Sequence, residues 1–576
     1  MQKQIIARPK VDDTFLPDTI HPVLKQIYAA RGVTNPEELS TKVSSLLTFA
    51  NFNGMDAAVE LLIETLTEDK RIIIVGDFDA DGATSTAVMM LGLKMLGYKR
   101  VEFLVPNRFG FGYGLSAEMA ELTVAQGAEL IITVDNGISS VSGVALAKKA
   151  GVKVLVTDHH LPGDELPDAD AIVNPNQHGC GFPSKNLAGV GVAFYLLLAL
   201  RSALRQRNYF TKEQFGSEKV PNIAELLDLV ALGTVADVVP LDSNNRILIH
   251  QGLQRVRSGF CRPGIKALIE VAGKHQQKMV ASDFGFALGP RLNAAGRLDD
   301  MSLGISCLLT DDEELAKTIA YQLDQLNKDR REIEQGMQLE AERILSELGL
   351  DSEVPDGICL FQPDWHEGVI GIVAGRIKDK YHRPTVVFAQ AENGDLKGSS
   401  RSIPGMHMRD VLEQIDSQYP NIIKKFGGHA MAAGLSIDAK RFDTFKLAFE
   451  YTINKRITEE QRTCSILTDG PLSAELYTLD FVQMLRQGGP WGQAFPEPVF
   501  DGIFRLAQQR LVGEKHLKVV LQHESGVTLD GIFFNVDLSI WPNGSFQTVR
   551  AAFTLDINEF RNKVNVQLLI KELLPQ

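Results

Sequence analysis

Acidic and histidine side chains gather in four short clusters within the first 240 residues of the chain. They are Asp77, Asp79 and Asp81 in GDFDADG, Asp135 in TVDNG, His159 and His160 in TDHH, and Asp237 in GTVADVVP. Hard carboxylate oxygens with one or two imidazoles suit Mn²⁺ or Mg²⁺ better than a thiol-rich zinc cage. Two such ions held a few ångströms apart clamp the attacking and leaving oxygens of an in-line phosphoryl displacement. The expected chemistry is phosphoester hydrolysis at a two-metal site.

Each of the first three clusters follows a short β-branched run: RIIIVG before Asp77, LIITV before Asp135 and VKVLVT before Asp158. Amphipathic helical stretches lie between them, so the pattern predicts right-handed parallel βαβ units with ligands gathered at the carboxyl ends of the strands. Taken singly, Asp81-Gly82 and Asn136-Gly137 are ordinary turn chemistry, the histidine pair is a surface pair, and Asp237 is a helix-end residue. Three aspartates at alternate positions are harder to dismiss. On an extended segment Asp77, Asp79 and Asp81 would point to one side, where mutual repulsion calls for cations.

Composition bounds the rest. A chain of 576 residues with 44% apolar side chains is long enough for three or four domains with packed cores. Five scattered cysteines without a CxxC argue against a disulfide framework or thiolate zinc, and point to a reducing cytoplasm. The N-terminus has no apolar signal core, and the longest apolar run, Leu187 to Leu200, falls short of the roughly 18–20 residues that span a bilayer, so no membrane association is expected and the run reads as a buried helix. A formal net charge of −13 opposes tight metal-free binding to duplex DNA. Bound divalent ions and a local Arg/Lys groove would lift that objection.

Periodicity and breakers divide the chain into a helical N-terminal segment (1–48), an α/β domain holding the clusters (49–275), a connecting segment (276–349), a second α/β domain (350–454) and a β-rich domain (455–576). The connector carries a long helix expected over 311–348, capped by Thr310 with Glu313, that would serve as a strut. GICLFQ and PTVVFAQ read as strands of the second α/β domain, KFGGHAMAAG as a glycine-rich anion cradle beside His429, and Ser399 and Arg401 as part of a short polar turn. Five strand patterns near the C-terminus, from GIFRLAQQR to VNVQLLIKEL, predict a small barrel. Arg108, followed by Phe109, Phe111 and Tyr113, pairs a guanidinium with stacking surfaces that could hold a nucleic-acid strand.

These motifs together resemble the DHH phosphoesterases, and within them the RecJ family of single-strand-specific 5′→3′ exonucleases. GPRLNAAGRL (289–298), WHEGVIGIVAGR (365–376), GSSRS (398–402) and FGGHAMAAGLSI (426–437) extend the likeness from about residue 50 to the C-terminus. The resemblance implies an α/β fold: a parallel-sheet DHH catalytic domain, a long helix, a DHH-associated domain and an OB-like barrel. It implies that Asp79, Asp81, Asp135, His159 and Asp237 hold the metals, with Asp135 bridging and Asp77 a near ligand. His160 would stand by the scissile phosphate, and Asp158 would act there or orient the histidines. Arg291, Arg297, Ser399 and Arg401 become candidates for a 5′ phosphate, since guanidinium forks match phosphate oxygens. A narrow passage between domains would admit single strands and exclude duplex. The implied setting is a bacterial, cytoplasmic, nucleoid-associated monomer that degrades single-stranded DNA to mononucleotides in recombination and repair, alongside single-strand-binding protein and a RecQ-type helicase. Two rival functions remain: a nano-oligonucleotide or cyclic-dinucleotide phosphodiesterase, and a noncatalytic replication scaffold.

Overall fold

The computed structural model describes residues 3–106, 114–215, 219–347, 354–391, 393–560 and 563–576. The chain forms two compact units. One comprises Arg8–Asn327 with Asp469–Gln576, and the other Lys328–Thr468 with the N-terminal residues up to Ala7. Strand β1 (Lys3–Ala7) therefore lies in the second of these units, and the N-terminal segment is not purely helical: the helix Pro22–Ala30 follows a strand and a loop.

The metal-ligand clusters hang on a five-stranded, all-parallel sheet of β2 (Ile72–Val75), β3 (Val101–Leu104), β4 (Leu130–Val134), β5 (Lys153–Thr157) and β6 (Ala171–Val173). Its order is β3-β2-β4-β5-β6, so the chain reverses direction of travel between β2 and β4. That reversal opens the crevice in which such sheets hold ligands. Both faces are covered, which explains why the strands read as unbroken apolar runs. Ile72, Ile74, Leu130 and Ile132 point into the larger core, with the helices Ala80–Met95 and Gly189–Gln206. Ile73, Val75, Ile131 and Val154 face a smaller one, with the helices Ala117–Ala125 and Val141–Lys149. The apolar run Leu187–Leu200 lies in Gly189–Gln206, where Phe194, Tyr195, Leu196 and Leu197 are buried.

The long helix spans Glu313–Glu347, two residues later at its start than the periodicity predicts. Asp312, rather than Thr310, caps it, accepting the Glu314 and Leu315 N–H groups at 2.9 and 3.2 Å. Thr310 instead accepts the Asp312 N–H. The other unit carries a mixed five-stranded sheet, β7 (Ile358–Phe361), β8 (Thr385–Gln390), β9 (Asp395–Arg401), β10 (Ile423–Gly428) and β11 (Ala432–Asp438), in the order β10-β11-β9-β8-β7. Strand β12 (Cys464–Thr468) pairs in parallel with β1 in the same unit. Finally β13 (Phe500–Val512), β14 (His516–Gln522), β15 (Thr528–Phe533), β16 (Thr548–Phe560) and β17 (Lys563–Pro575) close a barrel in the order β13-β14-β15-β17-β16, matching the five predicted strands. Among the described residues no single helix is long and apolar enough to cross a membrane; one bent pair, Val43–Asn51 with Met55–Thr67, meets the length and composition criteria.

Candidate metal centre

Sheet register brings the clusters to one level. Val75 pairs with Thr133, and Val134 pairs with Thr157. Asp77 therefore sits beside Asp135, and Asp135 beside Asp158, at the carboxyl ends of three adjacent strands. Asp135 adopts φ +60°, a left-handed conformation uncommon outside glycine that aspartate and asparagine tolerate better than most side chains. Gly189, at the start of its helix, leaves the room: a Cβ there would stand 2.5 Å from the Asp135 Cβ.

Asp77, Asp79 and Asp81 do not alternate along a strand. The extended segment stops at Asp79, which caps the helix Ala80–Met95 by accepting the Asp81 and Gly82 N–H groups at 2.9 and 3.0 Å. Asp81 lies in the first helical turn, where both of its oxygens accept amides, from Gly189 at 2.6 Å and Val190 at 3.0 Å. An Asp-x-Asp-Gly stretch caps a helix as naturally as it extends a strand, and here the cap prevails.

Three overlapping groups offer ligand atoms within 4.8 Å of one another: Asp77, Asp79 and Asp135; Asp81, His159 and Asp237; and Asp135, His159 and His160. His159 Nε2 lies 3.2 Å from Asp135 Oδ1 and 3.4 Å from Asp237 Oδ2. The Asp237 Oδ2 atom is buried without a hydrogen-bond partner. Burial first, then the charges of Asp81, Asp79, Asp237 and Asp77, hold the Asp135 carboxyl well above the usual carboxylate range. Burial, then the charges of Asp81, Asp79, Asp77 and Asp158, do so for Asp237, and burial with Asp79 pushes Asp81 up to about 7. Two like charges about 4 Å apart repel by roughly 4 kcal/mol at an effective dielectric near 20. Several such pairs would consume a domain's typical stability of about 5–15 kcal/mol, so the cluster must hold protons or cations. Its carboxylate-rich donors, shared residues and orphaned oxygen fit two hard divalent ions.

Asp158 is differently built. Its Oδ1 accepts the His159 and His160 N–H groups at 2.7 and 3.1 Å and faces His160 Nδ1 at 2.7 Å, while Oδ2 accepts the Ile138 N–H at 2.9 Å. Burial alone would raise this carboxyl, but the hydrogen bond and charge of His160 outweigh it and bring it below its ordinary value. For His160 burial is likewise opposed, by the Asp158 hydrogen bond and by Asp158, Asp77 and Asp79, and its pKa rises to about 9. Asn174 and Asn176 donate to the His160 and His159 carbonyls at 2.9 and 2.6 Å, which anchors the backbone of the pair.

The segment 289–298 is a helix that buttresses the aspartate loop, a role its sequence does not announce. Asn293 accepts the Ala80 N–H at 2.8 Å, and a Cβ on Gly296 would lie 1.8 Å from the Phe78 carbonyl oxygen. Arg291, expected at a 5′ phosphate, is instead buried: its Nε donates to Asp324 at 2.9 Å and its Nη1 to the Ala287 carbonyl at 2.6 Å. A carboxylate distant in sequence has taken the fork that a phosphate would need. Arg297 is half-buried on the same helix. Arg108 and its aromatic neighbours lie outside the described residues.

In the other unit, Ser399 and Arg401 lie on β9, not in a turn. Arg401 Nη1 donates to Ser399 Oγ at 3.0 Å, and a Cβ on Gly371 would fall 2.8 Å from Arg401 Nη2 and 2.9 Å from Ser399 Oγ. The pair thus rests on the first turn of the helix Ile370–Tyr381, where the positive end of the helix dipole favours an anion. KFGGHAMAAG is a hairpin rather than a cradle. Gly427 and Gly428 pair with Gly434 and Ala433, and exposed His429 occupies the turn, its N–H donating to Ala432.

Sheet, site and domain order define a DHH-type phosphoesterase. The DHH family N-terminal domain profile matches residues 71–234, the DHHA1 domain 355–455 and the RecJ OB domain 468–572. Over its full length the chain is 54% identical to the single-stranded-DNA-specific exonuclease RecJ of Salmonella typhimurium and of Escherichia coli, covering all of each. It is 34% identical to that of Bacillus subtilis, covering 98% of this chain and 70% of the relative. The crystal structure of Thermus thermophilus RecJ in complex with Mn²⁺ superposes with a TM-score of 0.82 at 28% identity, covering 100% of this chain and 80% of that one. The chain belongs to the RecJ family.

Proposed function

We propose that this protein is a metal-dependent exonuclease that degrades single-stranded DNA from the 5′ end to mononucleotides, acting in recombination and repair. The observation that carries this reading is the end-to-end identity of 54% with single-stranded-DNA-specific exonucleases, with all seven cluster residues in place. Two divalent ions, Mn²⁺ or Mg²⁺, fit the donor set, and the Thermus relative has been crystallised with each. Bound there, such ions supply Lewis acidity, polarising the scissile phosphate and easing deprotonation of the attacking water.

Asp77, Asp79, Asp81, Asp135, His159 and Asp237 would hold the ions, with Asp135 and His159 shared between groups. Asp158 positions the histidines. It holds His160 by Nδ1, leaving Nε2 as the ring nitrogen for substrate. Against burial, the Asp158 hydrogen bond and charge, with Asp77 and Asp79, push the pKa of His160 in the metal-free protein up to about 9, so the ring is suited to neutralise the phosphate and give a proton to the leaving 3′ oxygen. Ser399, Arg401 and the helix start at Gly371 form the phosphate-binding surface we assign to the DHHA1 domain, with His429 and Arg297 as further DNA contacts. Arg291 acts through Asp324 as a positioning residue. Cytoplasmic location, a monomeric state and cooperation with single-strand-binding protein and a RecQ-type helicase complete the proposal.

Digestion of an oligonucleotide labelled separately at each end, with Mn²⁺, tests it. Progressive shortening from the 5′ end, absent on blunt duplex and abolished in Asp135→Ala, is expected. Shortening from the 3′ end would overturn the polarity. Cleavage confined to fragments of a few nucleotides or to cyclic dinucleotides would replace the reading with a small-substrate phosphodiesterase.

A further inference from the structure

Two large apolar side chains stand in solvent immediately beside the metal ligands. Leu161, two residues after His159, is 59% exposed, and Val238, next to Asp237, is 62% exposed. His159 Nε2 and Asp237 Oδ2 approach to 3.4 Å, so the two segments meet. With about 3.8 Å between successive Cα atoms, both side chains root within two residues of that contact. Isolated exposed leucines and valines are common and need no explanation. A pair flanking the mouth of a buried carboxylate cluster is a different matter.

Val238 also carries strain. Its φ is +60°, in the left-handed region that a β-branched residue adopts only under constraint. The helix Leu227–Ala236 ends there, Asp237 turns its carboxylate inward, and Val239 enters the core. Glycine or asparagine would make the same turn without strain, whereas valine sets an exposed apolar side chain next to Asp237. Strain of this kind concentrates at functional sites, where the strained residue has a task.

We propose that Leu161 and Val238 form an apolar rest for the nucleoside being removed, packing against its sugar and base while the neighbouring ligands engage the phosphate. The inference rests on the exonuclease reading. Base-face contact of this type is sequence-tolerant, because every base offers an apolar face and no hydrogen-bond pattern is read. The rest would therefore favour nucleotides with a base over abasic ones without choosing among the four.

The test uses full-length protein and two end-labelled single strands, one normal and one with an abasic residue at the end being removed. Wild-type enzyme should remove the normal terminal nucleotide about tenfold faster in kcat/KM, the effect of a typical stacking contact. In Val238→Gly and Leu161→Ser that ratio should collapse toward one. Val238→Gly relieves the strained φ, so folding is not at risk, and Mn²⁺ titration calorimetry should return wild-type affinity. A wild-type ratio near one, or a ratio that survives in both variants, would overturn the proposal. Reduced Mn²⁺ affinity in Val238→Gly would overturn it too, assigning the residue to the metal loop. Failure of the wild type to degrade the normal strand would sink the exonuclease reading itself, and is visible separately in that lane.

Discussion

Asp135 and Asp237 carry carboxyls that folding makes harder to ionise, so the metal-free protein has a definite pH response. Their folded pKa values lie well above the unfolded value near 4, chiefly through burial and then through neighbouring aspartates. Below pH 4 both states are protonated and the groups contribute nothing. As pH rises past 4 the unfolded chain sheds these protons while the folded chain keeps them, so stability falls until the folded pKa is reached. In EDTA the melting temperature should therefore decline from about pH 5 toward pH 8, and Mn²⁺ should reverse the trend, adding about 2.7 kcal/mol at 100 times Kd. A melting temperature flat with pH and indifferent to Mn²⁺ would contradict the assignment of these residues as ligands. Asp158 is the opposite case, a carboxylate satisfied by three amides and an imidazole. Asp158→Asn keeps the shape and removes the charge that holds the His160 pKa near 9. The alkaline limb of the kcat profile should move to lower pH, with kcat reduced by about 10–100-fold.

Elements decide whether these residues meet, and their legibility differed for physical reasons. The parallel strands were readable because both faces are buried and each becomes an uninterrupted β-branched run, and the barrel strands because each is bounded by turn residues. GSSRS looked like a turn, yet Leu396, Gly398 and Ser400 form the buried face of β9. Gly398 is small because a Cβ would stand 2.5 Å from the Phe388 ring, a constraint that only packing reveals. The ligand set was legible from local clusters, whereas the pairing of Arg291 with Asp324 and the contact of segment 289–298 with Phe78 span long stretches of chain that carry no local signal. Gly296 tests that buttress. Gly296→Ala forces a methyl onto the Phe78 carbonyl, so the loop must shift. About 1–3 kcal/mol of stability should be lost, and Mn²⁺ affinity should fall by about tenfold or more in calorimetry. Gly336 has nothing within 4 Å of its virtual Cβ, in the middle of the long helix. Gly336→Ala should add about 0.5–1 kcal/mol of stability, read as a higher melting temperature, and leave nuclease activity unchanged. Equal effects at the two positions would argue that helix propensity, not the buttress, governs residue 296.

At the scale of the molecule, the barrel and the catalytic sheet belong to one compact unit although the whole of Lys328–Thr468, in the other unit, lies between them in sequence. The join is specific. The rings of Tyr28, Phe495 and Trp491 stack on one another, with the Arg246 guanidinium 4.2 Å above Phe495. Arg246 also donates to the Leu241 carbonyl at 2.8 Å, and the Leu241 N–H donates to the Gln493 carbonyl at 2.8 Å. Leu241 lies four residues beyond Asp237, so the loop that leads into the barrel also steadies the segment carrying a metal ligand. A barrel that only captured DNA would need no such tie, and damage to the tie should then affect DNA affinity alone. Phe495→Ala empties the centre of the stack, at a cost of about 3–5 kcal/mol for a buried phenylalanine. The geometry predicts that this variant, far from the sheet in sequence, melts lower and also binds Mn²⁺ more weakly, because the Asp237 loop loses its backing. Measured by calorimetry on the free protein, an unchanged Mn²⁺ affinity alongside the lower melting temperature would show that the barrel stabilises the unit without reaching its metal centre.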